Sequence, residues 1–295
     1  MVGLRRSPRI AAAKKNKGYL QHLGFIAIPD NPEDPNESIV LNAIASTSDI
    51  LNQKEAFNHP DKPHFVDAMV TEVENLENNN VWEYVSKSMV PAGQKILRAI
   101  WSFCIKKKPP DYNKSHKARI CADGSNQIEG INYTETYAPV VKWLSVRSLL
   151  TMSMLHNLET LAIDFTQAYT QAPIDTEVYM HLPPGFETDD DEVLKLKKNL
   201  YGLKQGGYNF WVKLRDFLIS QEFHQSEHDH CAFIKDGIVV LSYVDDCPIF
   251  AQKGKSIKTL IEAFKDAKFD FTEEGSVSSY LGVEINRNGS QIELT

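Results

Sequence analysis

The order of apolar and polar positions divides the chain into a stretch without periodicity and a longer part with regular elements. The first fifty or so residues show no sustained hydrophobic repeat and are rich in Asn, Pro, Ser and charge, which predicts a flexible leader over residues 1–58. From about residue 60, apolar residues recur at helical spacing over residues 65–76. Extended segments are predicted next, at residues 81–85 and 98–106.

Beyond residue 160 the pattern predicts strands and helices in the order β-α-β-β-α-β. Along the chain these are a strand at 161–165, a helix after Gly206-Gly207, a hairpin of 238–244 and 248–251, a helix at 256–267 and a strand at 280–286. The hairpin turn is predicted at Asp245-Asp246. An insertion between the first strand and the first helix contains two strand-like segments, at 178–182 and 193–197. The order is that of a split βαβ unit, so an α+β fold is predicted.

That topology has a chemical consequence, since it places the end of the first strand and the turn of the hairpin at the same edge of the sheet. Asp164, Asp245 and Asp246 are therefore expected to converge, although they are far apart in sequence.

Composition and charge permit a packed core and a local positive surface. The 295 residues are 42% hydrophobic and 24% charged, close to the globular average. A net charge of -7 would argue against a nucleic-acid partner. However, positive charge is concentrated at residues 1–18 and 95–121, so one face can still attract a polyanion. The basic run at residues 5–17 fits a nuclear-import signal, a nucleic-acid arm or a chance match.

Several functional classes are excluded by what the sequence lacks. The four cysteines show no CxxC spacing, so neither a zinc ribbon nor a redox dithiol is indicated. His228-Asp229-His230-Cys231 has no second ligand cluster at finger spacing, so zinc is not expected there. No apolar run approaches the roughly 18 to 20 residues of a membrane span. The apolar segment after the basic start is too short for a secretory signal, so neither secretion nor a membrane partner is expected.

Three carboxylates at one sheet edge repel one another unless cations neutralise them. Mg²⁺ binds carboxylates together with phosphate oxygens, and two such ions about 3.5 to 4 Å apart can activate a hydroxyl and stabilise a leaving oxygen. Alternatively, Asp245-Asp246 is a solvated turn, since Asp is common in turns. The apolar flanks and the absence of Gly and Asn from the tip favour a functional site with polymerase or nuclease chemistry.

The apolar hairpin around Tyr243-Val244-Asp245-Asp246 resembles the central signature of reverse transcriptases. Over about residues 60–290 the chain resembles the polyproteins of copia-type LTR retrotransposons. The further stretches that carry this resemblance are KAR at 117–119, YTETYAPVV at 133–141, IDF through AY at 163–169, VYM at 178–180, PPGFE at 183–187 and LYGLKQ at 200–205. They occur in the family's order, which makes the resemblance specific.

The resemblance implies a polymerase-type right hand. Residues 59–160 would form a mixed α/β fingers-like subdomain and residues 161–295 a palm-like subdomain with a split βαβ (ferredoxin-like) core. The thumb would be largely absent, with the chain ending before the thumb and the ribonuclease H domain. Asp164 and Asp245 would bind two Mg²⁺ ions, for which Mn²⁺ can substitute, and Asp246 would assist. All three acids are thus predicted to be catalytic and metal-binding.

The resemblance also implies residues that bind the incoming nucleotide. Lys107 and Arg119 would hold the triphosphate, with the choice within Lys106-Lys107-Lys108 left open; the alternative is a solvated basic face. Tyr169 would lie against the sugar and exclude a 2'-hydroxyl; the alternative is a packing residue.

Residues 200–207 would lie beneath the nucleotide and the template base. Gln205 is predicted to bind the nucleotide, with an ordinary glycine-punctuated helix start as the alternative. Tyr243 and Gly202 are predicted to contact primer or template.

At three places the sequence departs from the family pattern. Asp123 stands where a basic residue is common, and Tyr208-Asn209 where an Arg usually precedes the helix aromatic. Pro248 removes a strand donor unless it faces an edge. The three acids are retained, so what these departures put in question is efficiency and the grip on the template.

The sequence therefore predicts an RNA-directed DNA polymerase of a copia-type retrotransposon, which adds deoxynucleotides from dNTPs to a primer 3'-hydroxyl on an RNA or DNA template. Integrase and ribonuclease H, the other parts of such a polyprotein, are expected as partners. The expected location is a cytoplasmic virus-like particle, with nuclear entry. One alternative is a truncated relic that binds nucleic acid without polymerising it. Another is a two-metal nuclease, which would cut a strand without dNTPs.

Overall fold

The computed structural model describes residues 50–108, 113–186, 191–280, 283–288 and 291–294. Within these residues the helices are α1 (Gln53–Asn58), α2 (Lys62–Asn78), α3 (Trp143–Leu155), α4 (Ala168–Gln171), α5 (Gly206–Ser220) and α6 (Ile257–Asp266). The strands up to residue 200 are β1 (Ile50–Leu51), β2 (Trp82–Ser86), β3 (Ile96–Leu97), β4 (Ala99–Lys108), β5 (Asn113–Ala122), β6 (Glu159–Phe165), β7 (Tyr179–Met180) and β8 (Glu192–Leu196). The later strands are β9 (His224–Gln225), β10 (Ala232–Lys235), β11 (Ile238–Leu241), β12 (Asp246–Ala251), β13 (Phe271–Gly275), β14 (Ser279–Tyr280), β15 (Val283–Asn288) and β16 (Gln291–Leu294).

Most of the predicted leader, residues 1–58, lies outside the described residues. Regular structure nevertheless begins before residue 58, at Ile50. β1 pairs with β4, and α1 follows it directly. Asn52 and Glu55 form a capping box: the Asn52 side chain accepts a bond from the Glu55 backbone N–H at 3.0 Å, and the Glu55 carboxylate accepts one from the Asn52 N–H at 2.8 Å. Ala56 is fully buried. A cap and a buried residue therefore order a segment that composition alone assigned to the leader.

The chain divides into two compact units that do not follow the predicted split at residue 160. Among the described residues, the first unit comprises 50–136 and 173–206, and the second comprises 137–172 and 207–294. The predicted insertion belongs to the first unit because its strands pair there: β8 with β2, and β7 with β3. Residues 137–159, which were predicted to belong to the fingers-like subdomain, instead begin the second unit.

The first unit contains a three-stranded sheet of order β1-β4-β5 and a four-stranded sheet of order β2-β8-β7-β3. β4 and β5 form a long antiparallel hairpin whose register runs from Ala99 opposite Ala122 to Lys108 opposite Asn113. The helix predicted at 65–76 is confirmed as α2, and its apolar face joins the core of this unit. The buried residues of that face are Phe65, Met69, Val73 and Leu76.

The second unit is built on a six-stranded sheet of order β13-β6-β12-β11-β10-β9. Alternate residues of its strands point to opposite faces, as the period of a strand requires. Ile163 and Phe165 belong to the core with α5 and α6, whereas Ala162 and Phe250 belong to the core with α3. The predicted strand at 161–165, the hairpin and both helices are confirmed. No helix in the described part of the chain is long and apolar enough to cross a membrane.

The prediction of which strand completes this sheet is wrong. β13, not the segment at 280–286, pairs with β6. Phe271 at the start of β13 packs into the core with α6, whereas β15 pairs with β14 and β16 in a separate three-stranded sheet. The sequence misled because residues 280–286 alternate more clearly than Phe271–Gly275, which carries two exposed glutamates.

Candidate active site

Two of the predicted catalytic acids face each other across neighbouring strands of the second unit. β6 and β12 pair antiparallel, with Asp246 directly opposite Asp164. Directly opposed residues of an antiparallel pair carry their side chains on the same face. The backbone N–H of Phe165 donates to the carbonyl oxygen of Asp245 at 2.8 Å, which fixes the third acid beside the end of β6. The sheet thus brings together Asp164, Asp245 and Asp246.

The turn that carries Asp245 lies one residue earlier than predicted. Tyr243 and Asp246 exchange two backbone hydrogen bonds, of 2.9 and 3.0 Å, so Val244 and Asp245 form the tip and Asp246 begins β12. Val244 has φ +53°. A β-branched residue rarely adopts positive φ, and such strain costs on the order of 1–3 kcal/mol. The tip, which contains neither Gly nor Asn, is therefore a strained turn. Strained residues of this kind cluster at functional sites.

The negative charge of the acids affects the pKa values of two neighbouring tyrosines. Burial raises the pKa of Tyr243, and the charges of Asp245 and Asp246 raise it further. Burial likewise raises the pKa of Tyr280 well above its ordinary value, with Asp246 among the contributing charges. A cation bound at this edge of the sheet would relieve that repulsion.

The acids do not form a preformed metal cage. Among the described residues, no group of three or more His, Cys, Asp or Glu side chains could hold a metal ion by itself. Mg²⁺ usually keeps waters and uses one or two protein carboxylates together with substrate phosphates. The opposed pair Asp164 and Asp246, with Asp245 at the adjoining tip, fits an ion that arrives with a triphosphate.

Tyr169 lies in the same unit as the acids. It is half-buried on the short helix α4 and packs against the core that contains α5 and α6. A Cβ atom on Gly207 would lie 3.7 Å from its hydroxyl oxygen, so the phenol reaches the first turn of α5. A packing role for Tyr169 is therefore observed, and its contact with a sugar stays a prediction.

The predicted triphosphate ligands belong to the first unit. Lys107 pairs with Lys114 in the β4–β5 hairpin, and the side chains of residues 106–108 lie outside the described part of the structure. Arg119 is exposed on β5, with its guanidinium carbon 4.9 Å from the centre of the Tyr201 ring.

Gln205 packs inside the first unit, and its predicted contact with a nucleotide stays a prediction. Its side chain is fully buried. Its amide nitrogen donates to the Asn132 carbonyl at 2.8 Å and to the Thr176 hydroxyl at 3.3 Å, and its amide oxygen accepts from Gln127 at 2.9 Å. Gln205 therefore ties the loop before α5 to residues 127–132. Nothing in the spacing of these polar residues signals the network, because its partners lie far apart in sequence.

The backbone conformation and close packing at residue 202 require glycine. Its φ is +88°, and a Cβ atom there would lie 2.1 Å from the carbonyl oxygen of Ala122. The close approach joins residues 200–203 to the end of β5, where the Ala122 N–H donates to the Tyr201 carbonyl at 2.8 Å. The predicted contacts of Gly202 and Tyr243 with primer or template stay predictions.

Asp229, which the sequence offered only as part of a doubtful metal motif, caps a helix. Its carboxylate accepts the backbone N–H of Lys142 at 2.9 Å and the Ser145 hydroxyl at 2.6 Å, at the start of α3. A carboxylate at this end of a helix is favoured by the helix dipole. The signal that would have found this role is the lack of any capping side chain at Lys142 itself.

Asp123, the first departure from the family pattern, is a buried ion-pair partner. It is 6% exposed, and its carboxylate accepts from Arg98 Nη2 at 2.6 Å, Arg98 Nε at 3.1 Å and the Ser125 hydroxyl. Burial raises the pKa of Asp123, but hydrogen bonds from Ser125 and Arg98 outweigh it, so the pKa is lowered. A basic residue here would face Arg98, which explains why this chain carries an acid.

We expect Arg98→Gln to lower the free energy of unfolding at pH 7 by about 1–2 kcal/mol, because the buried carboxylate loses its charged donor. The pKa of Asp123 is lowered in the folded state, so its contribution is present above about pH 4 and is lost as the pH falls through the folded pKa. The wild type should therefore lose more stability than Arg98→Gln on acidification. Urea denaturation at pH 7, 4 and 3 measures both effects.

Lys87→Gln is the matched control for this prediction. Lys87 pairs with Asp191 at 3.9 Å, and both side chains are more than half exposed. Exposed pairs contribute about 0–1 kcal/mol, so this variant should stay close to the wild type at every pH. Equal losses in the two variants, or an unchanged pH dependence in Arg98→Gln, would contradict the role given to Asp123.

Comparison with known proteins identifies the class of protein that this fold and site define. The family model described as "Reverse transcriptase (RNA-dependent DNA polymerase)" matches residues 79–295, so the chain belongs to the reverse transcriptase family. Within it, the relatives are Pol polyproteins of copia-type retrotransposons, which confirms the resemblance inferred from the sequence.

The relatives are much longer than this chain. The retrovirus-related Pol polyprotein from transposon TNT 1-94 of Nicotiana tabacum is 32% identical over 248 residues, which are 82% of this chain and 18% of the polyprotein. The polyprotein from transposon RE2 of Arabidopsis thaliana is 32% identical over 234 residues, 77% of this chain and 16% of its own length. The truncated transposon Ty1-A Gag-Pol polyprotein of Saccharomyces cerevisiae is 27% identical, over 79% of this chain and 20% of its own length.

Among solved structures, one similar to this chain is a foamy viral protease-reverse transcriptase in complex with double-stranded DNA. The match covers 78% of this chain and 35% of the other, at 13% identity and a TM-score of 0.42. A similarity of this size adds nothing to the family assignment.

Proposed function

We propose that this chain is an RNA-directed DNA polymerase, which transfers deoxynucleotides from dNTPs to a primer 3'-hydroxyl on an RNA or DNA template with two Mg²⁺ ions. The observation that carries the proposal is the register that sets Asp164 opposite Asp246, with Asp245 on the adjoining strained tip. Opposed carboxylates at the ends of two strands suit in-line phosphoryl transfer, in which the protein mainly positions reactants and stabilises charge.

The carboxylates of this chain supply fixed negative charge on a rigid sheet. Asp164 and Asp246 are each half-buried, and strand pairing fixes their backbone positions opposite each other. Asp245 is held by its own carbonyl, which accepts from Phe165. We propose that Asp164 and Asp245 bind both ions and that Asp246 assists. When bound, Mg²⁺ would lower the pKa of the primer hydroxyl and neutralise the charge on the leaving pyrophosphate.

We propose that the two units take the roles of the palm and the fingers of a polymerase. The unit built on the β6–β12 pair serves as the palm, and the unit with the basic β4–β5 hairpin serves as the fingers. In this proposal Lys107 and Arg119 bind the triphosphate and Tyr169 lies against the sugar. Exposed Lys117 shares the strand of Arg119, so β5 presents positive charge to a polyanion.

The polyprotein context suggests further partners. The relatives are Pol and Gag-Pol polyproteins, so we propose that integrase and ribonuclease H act together with this chain. Synthesis would then take place in a cytoplasmic virus-like particle, followed by nuclear entry.

Primer extension tests the proposal directly. The 295-residue chain, a labelled DNA primer annealed to an RNA template, four dNTPs and Mg²⁺ should give products extended toward the end of the template. EDTA should abolish them, and Mn²⁺ should support synthesis in place of Mg²⁺. Retained binding of the RNA–DNA hybrid without extension would favour a nucleic-acid-binding relic. Cleavage of the labelled strand without dNTPs would favour a nuclease.

A further inference from the structure

The exposed arginine of β5 lies against an aromatic ring. Arg119 lies with its guanidinium carbon 4.9 Å from the centre of the Tyr201 ring. Within the described residues, no carboxylate lies within ion-pair distance of Arg119. The positive charge is therefore held by an aromatic face and is not neutralised by an acid.

That arrangement leaves the guanidinium ready for a phosphate. Arginine carries five N–H donors in a planar fork, and within the described residues the Arg119 side chain makes no hydrogen bond, so these donors are available. Arg98 on the neighbouring strand segment shows the contrast, since its Nη2 and Nε atoms both donate to Asp123. Planar donors without a bound carboxylate suit bidentate recognition of a phosphate.

Tyr201 is itself fixed relative to the strand that carries Arg119. Its carbonyl accepts from the Ala122 N–H at 2.8 Å, and it forms a parallel bridge with Cys121. The flanking residues Leu200 and Leu203 are 1% and 5% exposed. The main chain on both sides of Tyr201 is thus anchored, so the ring can hold the long arginine side chain in one direction.

We infer that Tyr201 is a positioning residue, which orients the Arg119 guanidinium for a bidentate grip on the phosphates of the incoming nucleotide. The inference deepens the proposed polymerase function and rests on it. In this role Tyr201 acts on the nucleotide through Arg119. It restricts the rotamers of Arg119 before binding, so less conformational entropy is lost when the triphosphate arrives.

Steady-state primer extension with dTTP as the varied nucleotide tests the inference. Tyr201→Leu should raise the KM for dTTP by about three- to tenfold, the range expected for loss of a cation–π contact, with kcat within about twofold. Tyr201→Phe keeps the ring and should stay within about twofold of the wild type. Arg119→Gln should raise the KM at least as much as Tyr201→Leu. The double variant should match Arg119→Gln, because the ring has nothing left to orient.

A binding measurement makes the test independent of turnover. The Kd of dTTP for the complex of each variant with RNA template and a dideoxy-terminated primer should change as the KM does, while the Kd of the primer-template itself should stay within about twofold. If primer-template binding weakens instead, Arg119 grips the nucleic-acid backbone and the inference is wrong. Additive losses in the double variant would also overturn it, since a merely structural Tyr201 would act independently of Arg119.

Controls separate this inference from the stability of the fold and from the proposed function. Phe57→Leu removes another ring beside a cation of the same unit, Lys62 at 4.9 Å, and should leave the KM and Kd for dTTP unchanged. Tyr201→Met replaces Tyr201→Leu if circular dichroism shows that Tyr201→Leu does not fold.

The outcomes also separate the inference from the proposed function. A wild-type chain that does not extend primers refutes the proposed function, while dTTP binding still tests the inference. A wild type that extends, with Tyr201→Leu unchanged in KM and Kd, refutes the inference alone.

Discussion

Asp245→Asn is expected to abolish primer extension and to leave the fold intact. The change is nearly isosteric and keeps the backbone bond from Phe165 to the residue 245 carbonyl, so the turn should persist. The amide has no charge with which to hold a metal ion. Loss of several kcal/mol of transition-state stabilisation corresponds to a rate lowered by about 10³-fold or more. Single-turnover extension of a labelled primer measures the rate, and circular dichroism with thermal melting checks the fold.

The same sheet offers a matched control in Asp236→Asn. Asp236 lies exposed at the tip of the β10–β11 hairpin, with φ +46°. Asn tolerates positive φ as readily as Asp, so this substitution removes a tip carboxylate at no conformational cost. Its extension rate should stay within about twofold of the wild type. If Asp245→Asn extends primers within about tenfold of the wild type, or if the two variants are equally impaired, the catalytic role of Asp245 is wrong.

The edge of the sheet that carries the three acids was predictable because its signals are local. Alternating apolar residues in β6, β11 and β12 mark the strands, and amphipathic helices α5 and α6 mark the crossovers. In the split βαβ order that they predict, the end of the first strand and the turn of the hairpin lie at one edge, and β6 and β12 do pair with Asp164 opposite Asp246. The position of the turn was off by one residue, because an Asp pair looks like a turn whereas positive φ at Val244 cannot be seen in the sequence.

Other features escaped the sequence because they depend on contacts between distant segments. The buried amide of Gln205 finds its partners at residues 127, 132 and 176, and polar residues in such positions read as surface loops. The return of residues 173–206 to the first unit follows from pairing of short strands such as Tyr179–Met180, which carry almost no periodicity. In the sequence, Asp123 is only a departure from a family pattern. Its contact with Arg98, which the sequence does not reveal, explains why an acid is present there.

Gly202→Ala is expected to destabilise the chain by about 2–5 kcal/mol, for two separable reasons. A residue with a Cβ atom at φ +88° is strained by roughly 1–2 kcal/mol. In addition, the Cβ atom would lie 2.1 Å from the carbonyl oxygen of Ala122, which is backbone and cannot move aside without shifting the end of β5. Overpacking of this kind costs about 1–3 kcal/mol and occasionally more. Urea denaturation followed by circular dichroism measures the sum.

Two other glycines separate the two reasons. Gly93 also has φ +88°, with nothing within 4 Å of a Cβ atom, so Gly93→Ala should show the strain alone. Gly124 has no positive φ, and its Cβ atom would lie 2.0 Å from the Gly202 carbonyl oxygen, so Gly124→Ala should show the close approach alone. Gly202→Ala should therefore lower the free energy of unfolding by about 1–3 kcal/mol more than Gly93→Ala does. The loss in Gly124→Ala should also exceed the loss in Gly93→Ala. Because the same backbone contact holds Tyr201 against β5, the two costly variants should also raise the KM for dTTP while they remain folded. Equal destabilisation by all three substitutions would show that residues 122–124 and 200–203 yield to each other, and that the contact does not fix Tyr201 in place.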